Sequence, residues 1–164
     1  MNELSYCTFY PGHNISDFDC GKEPLNSYLK TQVNQDVKEH LAVCFAIVTD
    51  KNKVKGYFTL SGLSINKELI PKNLRRRLHY RDIPVTLLGR LARDIKYKTE
   101  RLGETLLLDA LRRSYDSSFK IGSMAVVVDP IDEEAGNFYS KYGFINLLDS
   151  KRMFITMETI SKLF

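Results

Sequence analysis

The sequence lacks long apolar runs. No stretch of its 164 residues approaches the about 18 consecutive apolar residues that a membrane-spanning helix needs. Its first residues also lack the basic and then apolar layout of a secretory signal. Both absences argue against membrane and secreted proteins, so we expect a cytoplasmic protein with no membrane contact.

Cysteine is scarce as well. The three cysteines, Cys7, Cys20 and Cys44, are widely spaced, and no two of them form a CxxC pair. This pattern is unlike a disulfide framework or a zinc site, so we expect no bound metal. Cys44 lies in the apolar run 41–48, where burial as a small apolar side chain is expected and a catalytic thiol is the alternative.

The chain also shows no internal repeat, low-complexity stretch or linker. Hydrophobic residues make up 43% of it, which is enough to bury a sizeable core. Its length is near that of one ordinary domain. We therefore expect residues 1–164 to form a single domain.

The basic residues are unevenly distributed. The net charge of the chain is +4. Residues 72–101 contain ten basic and three acidic side chains, a net +7, which leaves −3 for the rest. Such asymmetry indicates a polyanionic partner, and a solvated basic surface is the alternative.

Hydrophobic periodicity predicts the order β-α-β-β-(α)-β-α-β-α-β-β, an α/β fold in which a mixed sheet carries helices on its faces. The clearest helix spans residues 103–115. Asp132 is expected to cap the next helix, and Gly143 to end it in a left-handed conformation. The other predicted elements are strands 6–10, 41–49, 54–63, 85–95, 124–128, 144–148 and 152–156, a helix from Pro24 to near His40, and short helix and loop at 67–78.

One candidate site is the strand–loop–helix unit of residues 86–115. The start of a helix presents unpaired N–H groups and a positive dipole end, which suit a phosphate or pyrophosphate. The loop before this helix runs from Lys98 to Gly103. Taken alone, Gly103 would equally fit an ordinary loop glycine that binds no ligand.

A second candidate lies in residues 135–144, where a helix ends at a glycine and an aromatic residue follows. Tyr139 of this segment could be a core aromatic residue with its hydroxyl at an edge. It could also donate a proton in catalysis.

Together the two segments resemble the GNAT acetyltransferases, through the loop that enters an xxLL helix and the late FYxxxGF segment. The resemblance implies the GNAT fold and an N-acetyltransferase that uses acetyl-coenzyme A (acetyl-CoA). It implies that Tyr139 protonates the departing thiolate of coenzyme A. The cofactor-binding residues that it implies are Leu91, Ala92, Arg93, Lys98, Arg101, Leu102, Gly103, Glu104, Thr105 and Asn137.

Three further segments narrow the resemblance: FDCGKEPLNSYL at 18–29, GYFTLS at 56–61 and IPVTLLGRLA at 83–92. They are similar to the GNAT toxins of toxin–antitoxin pairs, which acetylate the α-amine of aminoacyl-tRNA and block translation. The resemblance implies an aminoacyl-tRNA substrate, a ribbon-helix-helix antitoxin and possible homodimers. The tRNA-binding residues expected in the basic segment are Arg75, Arg76, Arg77, Arg90 and Arg93.

The phosphate loop departs from the family pattern, because Arg101 stands where the first glycine is usual. An arginine is tolerated there if its φ stays negative and its side chain points outward, or if its guanidinium itself binds phosphate. Glu100 beside it is expected to face solvent. Two alternatives stay open: a GNAT enzyme acting on a small-molecule or protein amine, and a degenerate, non-catalytic GNAT binding module.

Overall fold

The computed structural model describes residues 5–9 and 12–164, with backbone only for 5–8. Seven strands form one sheet in the order β1-β2-β3-β4-β5-β7-β6. Strands β4 and β5 run parallel, whereas β1–β2, β2–β3, β5–β7 and β6–β7 are antiparallel. The predicted mixed α/β fold is therefore confirmed. The strands are β1 Ser5–Thr8, β2 Val43–Val48, β3 Val54–Asn66, β4 Asp82–Arg93, β5 Ala125–Val128, β6 Ile145–Asn146 and β7 Met153–Thr156.

Six α-helices and two short 3₁₀ helices accompany these strands in the described chain. The 3₁₀ helices span Lys67–Leu69 and Ile95–Glu100. The α-helices are α1 Glu23–Thr31, α2 Val33–Lys38, α3 Lys72–Arg75, α4 Leu102–Ser117, α5 Glu133–Lys141 and α6 Met157–Ser161.

The chain divides into two compact units, and each consists of two segments. The first unit takes in Met1–Ser61 and Gly89–Ala110, and the second takes in Gly62–Leu88 and Leu111–Phe164. The core of the first unit packs α1 and α2 against β2 and β3, with Leu29, Cys44 and Tyr57 fully buried. The core of the second unit packs β4, β5 and β7 together. The side chains of Ile70, Val127 and Phe154 are fully buried in it.

Several predicted helix features are confirmed. Asp132 caps α5 by accepting a hydrogen bond from the backbone N–H of Ala135 at 2.9 Å. Gly143 follows α5 with a φ of +97°, the left-handed stop expected of a glycine. In α4 the apolar face predicted from the spacing is fully buried: Leu106, Leu107, Ala110 and Leu111.

The differences from the predicted elements lie at their ends. The single helix expected from Pro24 to His40 is two helices, because Gln32 leaves helical geometry with φ −122°. Strand β4 begins before Pro84 rather than after it. The missing N–H of this proline falls outside the registered pairing with β5, which starts at Thr86. The short helix α6, capped by the side chain of Thr156, was not predicted.

Candidate active site

Most of the strand–loop–helix segment predicted to bind phosphate, residues 89–110, belongs to the first unit of the structure. Strand β4 ends at Arg93, the 3₁₀ helix Ile95–Glu100 follows, and α4 begins at Leu102. The N–H and the hydroxyl of Thr105 both donate to the backbone oxygen of Arg101 at 3.1 Å. Because helix geometry leaves the first N–H groups of α4 without an intrahelical partner, this end of the helix can accept an anion.

Arg101 adopts a backbone conformation that glycine tolerates more easily than other residues do. Its φ is 52° and its ψ is 34°, which is the left-handed region. Of the two conditions under which an arginine was expected to be tolerated here, the one with a negative φ is therefore not met, and the residue bears the steric cost of the left-handed region. Its side chain is 86% exposed, and the nearest carboxylate oxygen, on Glu104, is 4.0 Å from Nη1. The guanidinium is thus available to a ligand at this turn.

The start of the loop is anchored by two aspartates. Asp94 is buried, and its carboxylate accepts the N–H of Lys96 at 2.9 Å and the N–H of Asp19 at 3.2 Å. The N–H of Ile95 donates in turn to the backbone oxygen of Asp19 at 2.9 Å. The FDCGK motif, which contains Asp19, therefore holds the loop where it leaves β4.

Asp19 is itself fixed by its own turn. Its carboxylate accepts the N–H of Gly21 at 2.9 Å and the amide of Asn26 at 3.0 Å. These hydrogen bonds, that from Gly21 first, lower the pKa of Asp19. Gly21 has a φ of +83°, so the motif needs a residue that tolerates the left-handed region here. The sequence analysis gave no role to Asp19 or Asp94. The Asp–Cys–Gly turn within the FDCGK motif was the signal that could have indicated Asp19.

Glu100 does not simply face solvent, which corrects the expectation from the sequence. Its carboxylate accepts a hydrogen bond from the Lys55 ammonium at 2.6 Å, and its side chain is 44% exposed. Lys55, on β3, has a side chain only 9% exposed. The same ammonium lies 4.5 Å from the ring centroid of Tyr97. Sequence reasoning missed Lys55, because its partner is far away in the chain.

The glycine of the GYFTLS motif has a packing role. A Cβ on Gly56 would lie 2.8 Å from Cδ1 of Leu106 and 3.0 Å from the backbone oxygen of Ala92. Any larger residue at this position would force β3 apart from β4 and α4. The motif thus keeps the end of β4 and the first turns of α4 close together.

Arg90, predicted to bind tRNA, lies in the first unit beside helix α1. Its guanidinium lies over the ring of Tyr28, whose hydroxyl donates to the carboxylate of Asp36 at 2.9 Å. Hydrogen bonds from Gln32 and Tyr28, together with the charge of Arg90, lower the pKa of Asp36. Arg90 is therefore held in one orientation and not free on the surface.

The other predicted residues of the first unit occupy the end of β4, the loop and the first turn of α4. Ala92 and Leu102 are buried, and Lys98 and Arg101 are exposed. The half-buried members of this set are Leu91, Arg93, Gly103, Glu104 and Thr105. The structure thus brings nine of the ten predicted cofactor residues into one unit, around one strand end and one helix start.

Tyr139 lies on α5 in the second unit, and its position is set by the FYxxxGF motif. Its ring centroid lies 5.3 Å from that of Phe138 and 5.2 Å from that of Phe144. Its backbone oxygen accepts the N–H groups of Tyr142 and Phe144 as the helix ends. The side chain is buried, and burial raises the pKa of its hydroxyl well above the usual range. Asn137, two residues earlier, is exposed.

The arginine cluster at the end of α3, formed by Arg75, Arg76 and Arg77 in the second unit, is not uniform. Nη1 of Arg75 lies 3.1 Å from the Glu68 carboxylate and donates to the Glu68 backbone oxygen at 3.1 Å. Its side chain is 22% exposed. Arg76 and Arg77 are exposed. The predicted phosphate contacts are therefore better carried by Arg76 and Arg77 than by Arg75.

Among residues 5–9 and 12–164, no helix is long and apolar enough to cross a bilayer. Within the same residues, no group of three or more His, Cys, Asp or Glu side chains is arranged to hold a metal ion. Cys44 is fully buried, as expected of an apolar thiol.

Comparison with known proteins finds relatives along almost the whole chain, although no protein-family model matches it. A tRNA-acetylating toxin of Mycobacterium tuberculosis is 30% identical over 146 residues, which cover 88% of this chain and 87% of the relative. A probable toxin TacT of Sinorhizobium fredii is 29% identical over 161 residues, covering 92% of this chain and 89% of the relative.

Solved structures agree with these relatives. A KacT variant with one tyrosine replaced by phenylalanine superposes with a TM-score of 0.93 at 28% identity, covering 98% of this chain and 99% of its own. AtaT complexed with acetyl-methionyl-tRNA gives a TM-score of 0.91 at 27% identity, with the same coverage. A tyrosine-to-phenylalanine variant of AtaT, bound to the C-terminus of the antitoxin AtaR and acetyl-CoA, gives 0.84 at 25% identity, covering 99% of this chain and 98% of its own.

Proposed function

Because this chain belongs to the tRNA-acetylating toxins of the GNAT type, we propose that it transfers the acetyl group of acetyl-CoA to the α-amine of an aminoacyl-tRNA. The acetylated product has no free amine for peptide-bond formation, so translation stops. The observation that carries this proposal is the similarity to a tRNA-acetylating toxin over 88% of the chain. The fold agrees with that of AtaT, which has been solved with acetyl-methionyl-tRNA.

Acetyl-CoA is the acetyl donor in this proposal. The backbone of Leu91, Ala92 and Arg93 at the end of β4 lies along the thioester and the pantetheine arm, and one N–H there polarises the carbonyl. The pyrophosphate lies at the first turn of α4, where N–H groups are unpaired. Around it we place Lys98, Arg101, Leu102, Gly103, Glu104 and Thr105.

The transfer needs one proton donor and no metal. The neutral amine attacks the thioester carbonyl, the C–S bond breaks, and its electron pair stays on the sulfur. Tyr139 gives its phenolic proton to this thiolate and regains one from solvent, which also receives the surplus proton of the amine. A free α-amine has a pKa of about 7.7–8.0, against about 10.4 for a lysine side chain, so only the former has a useful neutral fraction without a general base.

The tRNA is held by the basic side chains of the segment 72–101. Arg76 and Arg77 are exposed, and Arg90 and Arg93 lie on β4. Arg75 is paired with the Glu68 carboxylate, so we expect it to contribute less to tRNA binding than its two neighbours. Phosphate contacts of this kind release counterions, so the affinity should fall as salt rises.

The protein would work as one domain in the cytoplasm, where aminoacyl-tRNA is present. By analogy with AtaT, which has been solved with its antitoxin AtaR, it would have a protein antitoxin. We place that antitoxin in the ribbon-helix-helix class and expect the toxin to form homodimers. Light scattering of the purified protein, alone and with the product of a neighbouring reading frame, tests both points.

The deciding experiment supplies labelled acetyl-CoA with one tRNA in charged and deacylated form, and separately with the free amino acid. Label should appear only on the charged tRNA. Equal labelling of free amines would support an enzyme for small amines instead. Failure of the protein to bind acetyl-CoA by calorimetry would support a non-catalytic binding module.

A further inference from the structure

Lys55 is a buried cation whose ammonium meets the proposed phosphate loop. Lys55 as a whole is 7% exposed. Its Nζ lies 2.6 Å from Oε2 of Glu100 and 4.5 Å from the ring centroid of Tyr97. The N–H of Asp94 donates to the backbone oxygen of Lys55 at 2.8 Å, so the same residue also holds the start of the loop. Lys55 thus contacts both ends of the segment between β4 and α4.

This pair is costly if its only role is stability. Taking an ammonium out of water carries a desolvation penalty, and its attraction to a carboxylate repays that penalty only when further hydrogen bonds satisfy both groups. An apolar residue of similar length would fill the same space without that cost. The charge of Lys55 therefore calls for a further reason.

The position of Glu100 supplies one. It immediately precedes Arg101, the left-handed residue that opens α4. A carboxylate beside a bound diphosphate would repel it, because both are anions and the protein weakens screening by water. The Lys55 ammonium cancels this charge and draws the carboxylate toward β3.

We propose that Lys55 is a positioning residue for the diphosphate of acetyl-CoA: it neutralises Glu100 and fixes the loop that presents the N-terminus of α4. The inference rests on the proposed function, since it assumes that the loop holds the diphosphate. It goes beyond that function in assigning the affinity for the donor to a strand residue outside the loop.

The test uses the full-length protein and three variants: Lys55→Met, Glu100→Gln and the double variant. Lys55→Met leaves an unpaired carboxylate near the diphosphate, so acetyl-CoA should bind about tenfold more weakly, an effect typical of an uncompensated charge nearby. Glu100→Gln removes that charge and keeps an acceptor for Lys55, so affinity should stay equal or rise. The double variant should recover most of the loss.

Kinetics separate positioning from general damage. Lys55→Met should raise the KM for acetyl-CoA and leave kcat nearly unchanged. With acetyl-pantetheine, which has no diphosphate, the wild type and Lys55→Met should react alike. Lys53→Met is the control for removing a nearby lysine charge, because the side chain of Lys53 is 45% exposed and its ion pair, with Asp17 at 3.5 Å, does not involve Glu100. Its KM should equal that of the wild type.

Three outcomes would overturn the inference. They are wild-type affinity in Lys55→Met, a loss in Glu100→Gln as large as in Lys55→Met, and no recovery in the double variant. If Lys55→Met does not fold, Lys55→Gln and Glu100→Gln carry the test: the first removes the charge and keeps a donor for Glu100, so it should bind acetyl-CoA more weakly than the wild type, and the second should bind it at least as well. Failure of the wild type itself to bind acetyl-CoA would instead reject the proposed function.

Discussion

The guanidinium of Arg90 lies over the ring of Tyr28, with its central carbon 3.7 Å from the ring centroid. The Tyr28 hydroxyl is held in turn by the carboxylate of Asp36. This stack orients the arginine from the side of α1, so its charge is presented at a fixed place along β4. An arginine with this support is suited to a defined phosphate contact, whereas a mobile one would add only diffuse charge.

The first prediction concerns this stack. Arg90→Ala should weaken tRNA binding and lower the slope of log affinity against log salt by roughly 0.7–0.9, the share of one phosphate contact. Arg90→Lys keeps the charge and should restore most of the slope. Arg112→Ala is a matched control, because Arg112 also lies over an aromatic ring, that of Phe164, but outside the basic segment. Fluorescence anisotropy across a salt series measures all three, and equal slopes for Arg90→Ala and wild type would contradict the prediction.

The second prediction concerns Tyr139. Tyr139→Phe removes only the hydroxyl, so the aromatic contacts with Phe138 and Phe144 should persist and the fold should be kept. Turnover should fall about 10²–10⁴-fold, the usual contribution of a general acid, while the affinity for acetyl-CoA stays. Tyr142→Phe, a change of the same kind at the end of the same helix, should leave turnover intact. Wild-type turnover in Tyr139→Phe, measured below the diffusion limit, would reject the assignment.

The sequence predicted what depends on local pattern. Leu106, Leu107, Ala110 and Leu111 recur at helical spacing, and one buried face of α4 results. Asp132 and Gly143 bound α5 because caps act over three or four residues of chain. The proposed roles of Tyr139 and of the phosphate loop came from the family resemblance and not from such patterns, and they stay predictions.

What the sequence missed depends on contacts between distant residues. Lys55 and Glu100 are separated by 45 positions, and the phosphate loop that contains Glu100 gives no sign of a partner on β3. Asp94 binds the turn of Asp19 across 75 positions. The backbone conformation of Arg101 stayed open for a different reason, since propensity favours negative φ for an arginine and only the folded turn imposes the opposite.

The third prediction concerns pH. Burial raises the pKa of Tyr139, so its hydroxyl stays protonated as the pH rises through the usual tyrosine value of about 10. The amine must be neutral to attack, and its pKa is at or below about 7.7–8.0. The kcat/KM for aminoacyl-tRNA should therefore rise with pH below that value and then level off, with no alkaline fall below pH of about 9.5. A bell-shaped profile that loses its alkaline limb in Tyr139→Phe would contradict this.

The fourth prediction concerns Arg101. Its left-handed backbone costs roughly 1–2 kcal/mol for a residue with a Cβ, and glycine avoids this while gaining some freedom when unfolded. Arg101→Gly should therefore raise the free energy of unfolding by about 0.5–1 kcal/mol. If the guanidinium holds the diphosphate, acetyl-CoA should bind roughly tenfold more weakly.

Arg101→Ala supplies the comparison, because it removes the same guanidinium and keeps the strained backbone. Its affinity for acetyl-CoA should fall as far as that of the glycine variant, without the gain in stability. Urea unfolding and calorimetry on the two variants measure these effects. Unchanged affinity in both would reduce Arg101 to a residue tolerated at the turn.

The last prediction concerns the arginine cluster at the end of α3, Arg75 to Arg77. Arg75 is paired with Glu68, so replacing it would mix a folding effect with any loss of phosphate contact. Arg76 and Arg77 are exposed, so replacing them tests the phosphate contact without that folding effect. The double variant Arg76→Ala, Arg77→Ala should bind aminoacyl-tRNA more weakly, and its salt slope should fall by roughly 1.4–1.8 if each arginine meets one phosphate.

Acetyl-CoA binding should survive in that variant, because the proposed donor site lies on β4, the loop and α4. The control replaces two exposed lysines, Lys120 and Lys151, with alanine, which changes the net charge equally. A drop in slope in both would indicate a general effect of net charge and not a contact. If the arginine variant keeps the salt slope of the wild type, the cluster is a solvated surface and not a phosphate contact. The polyanion inferred from the charge asymmetry of the sequence would then be bound elsewhere, by Arg90 and Arg93 of β4.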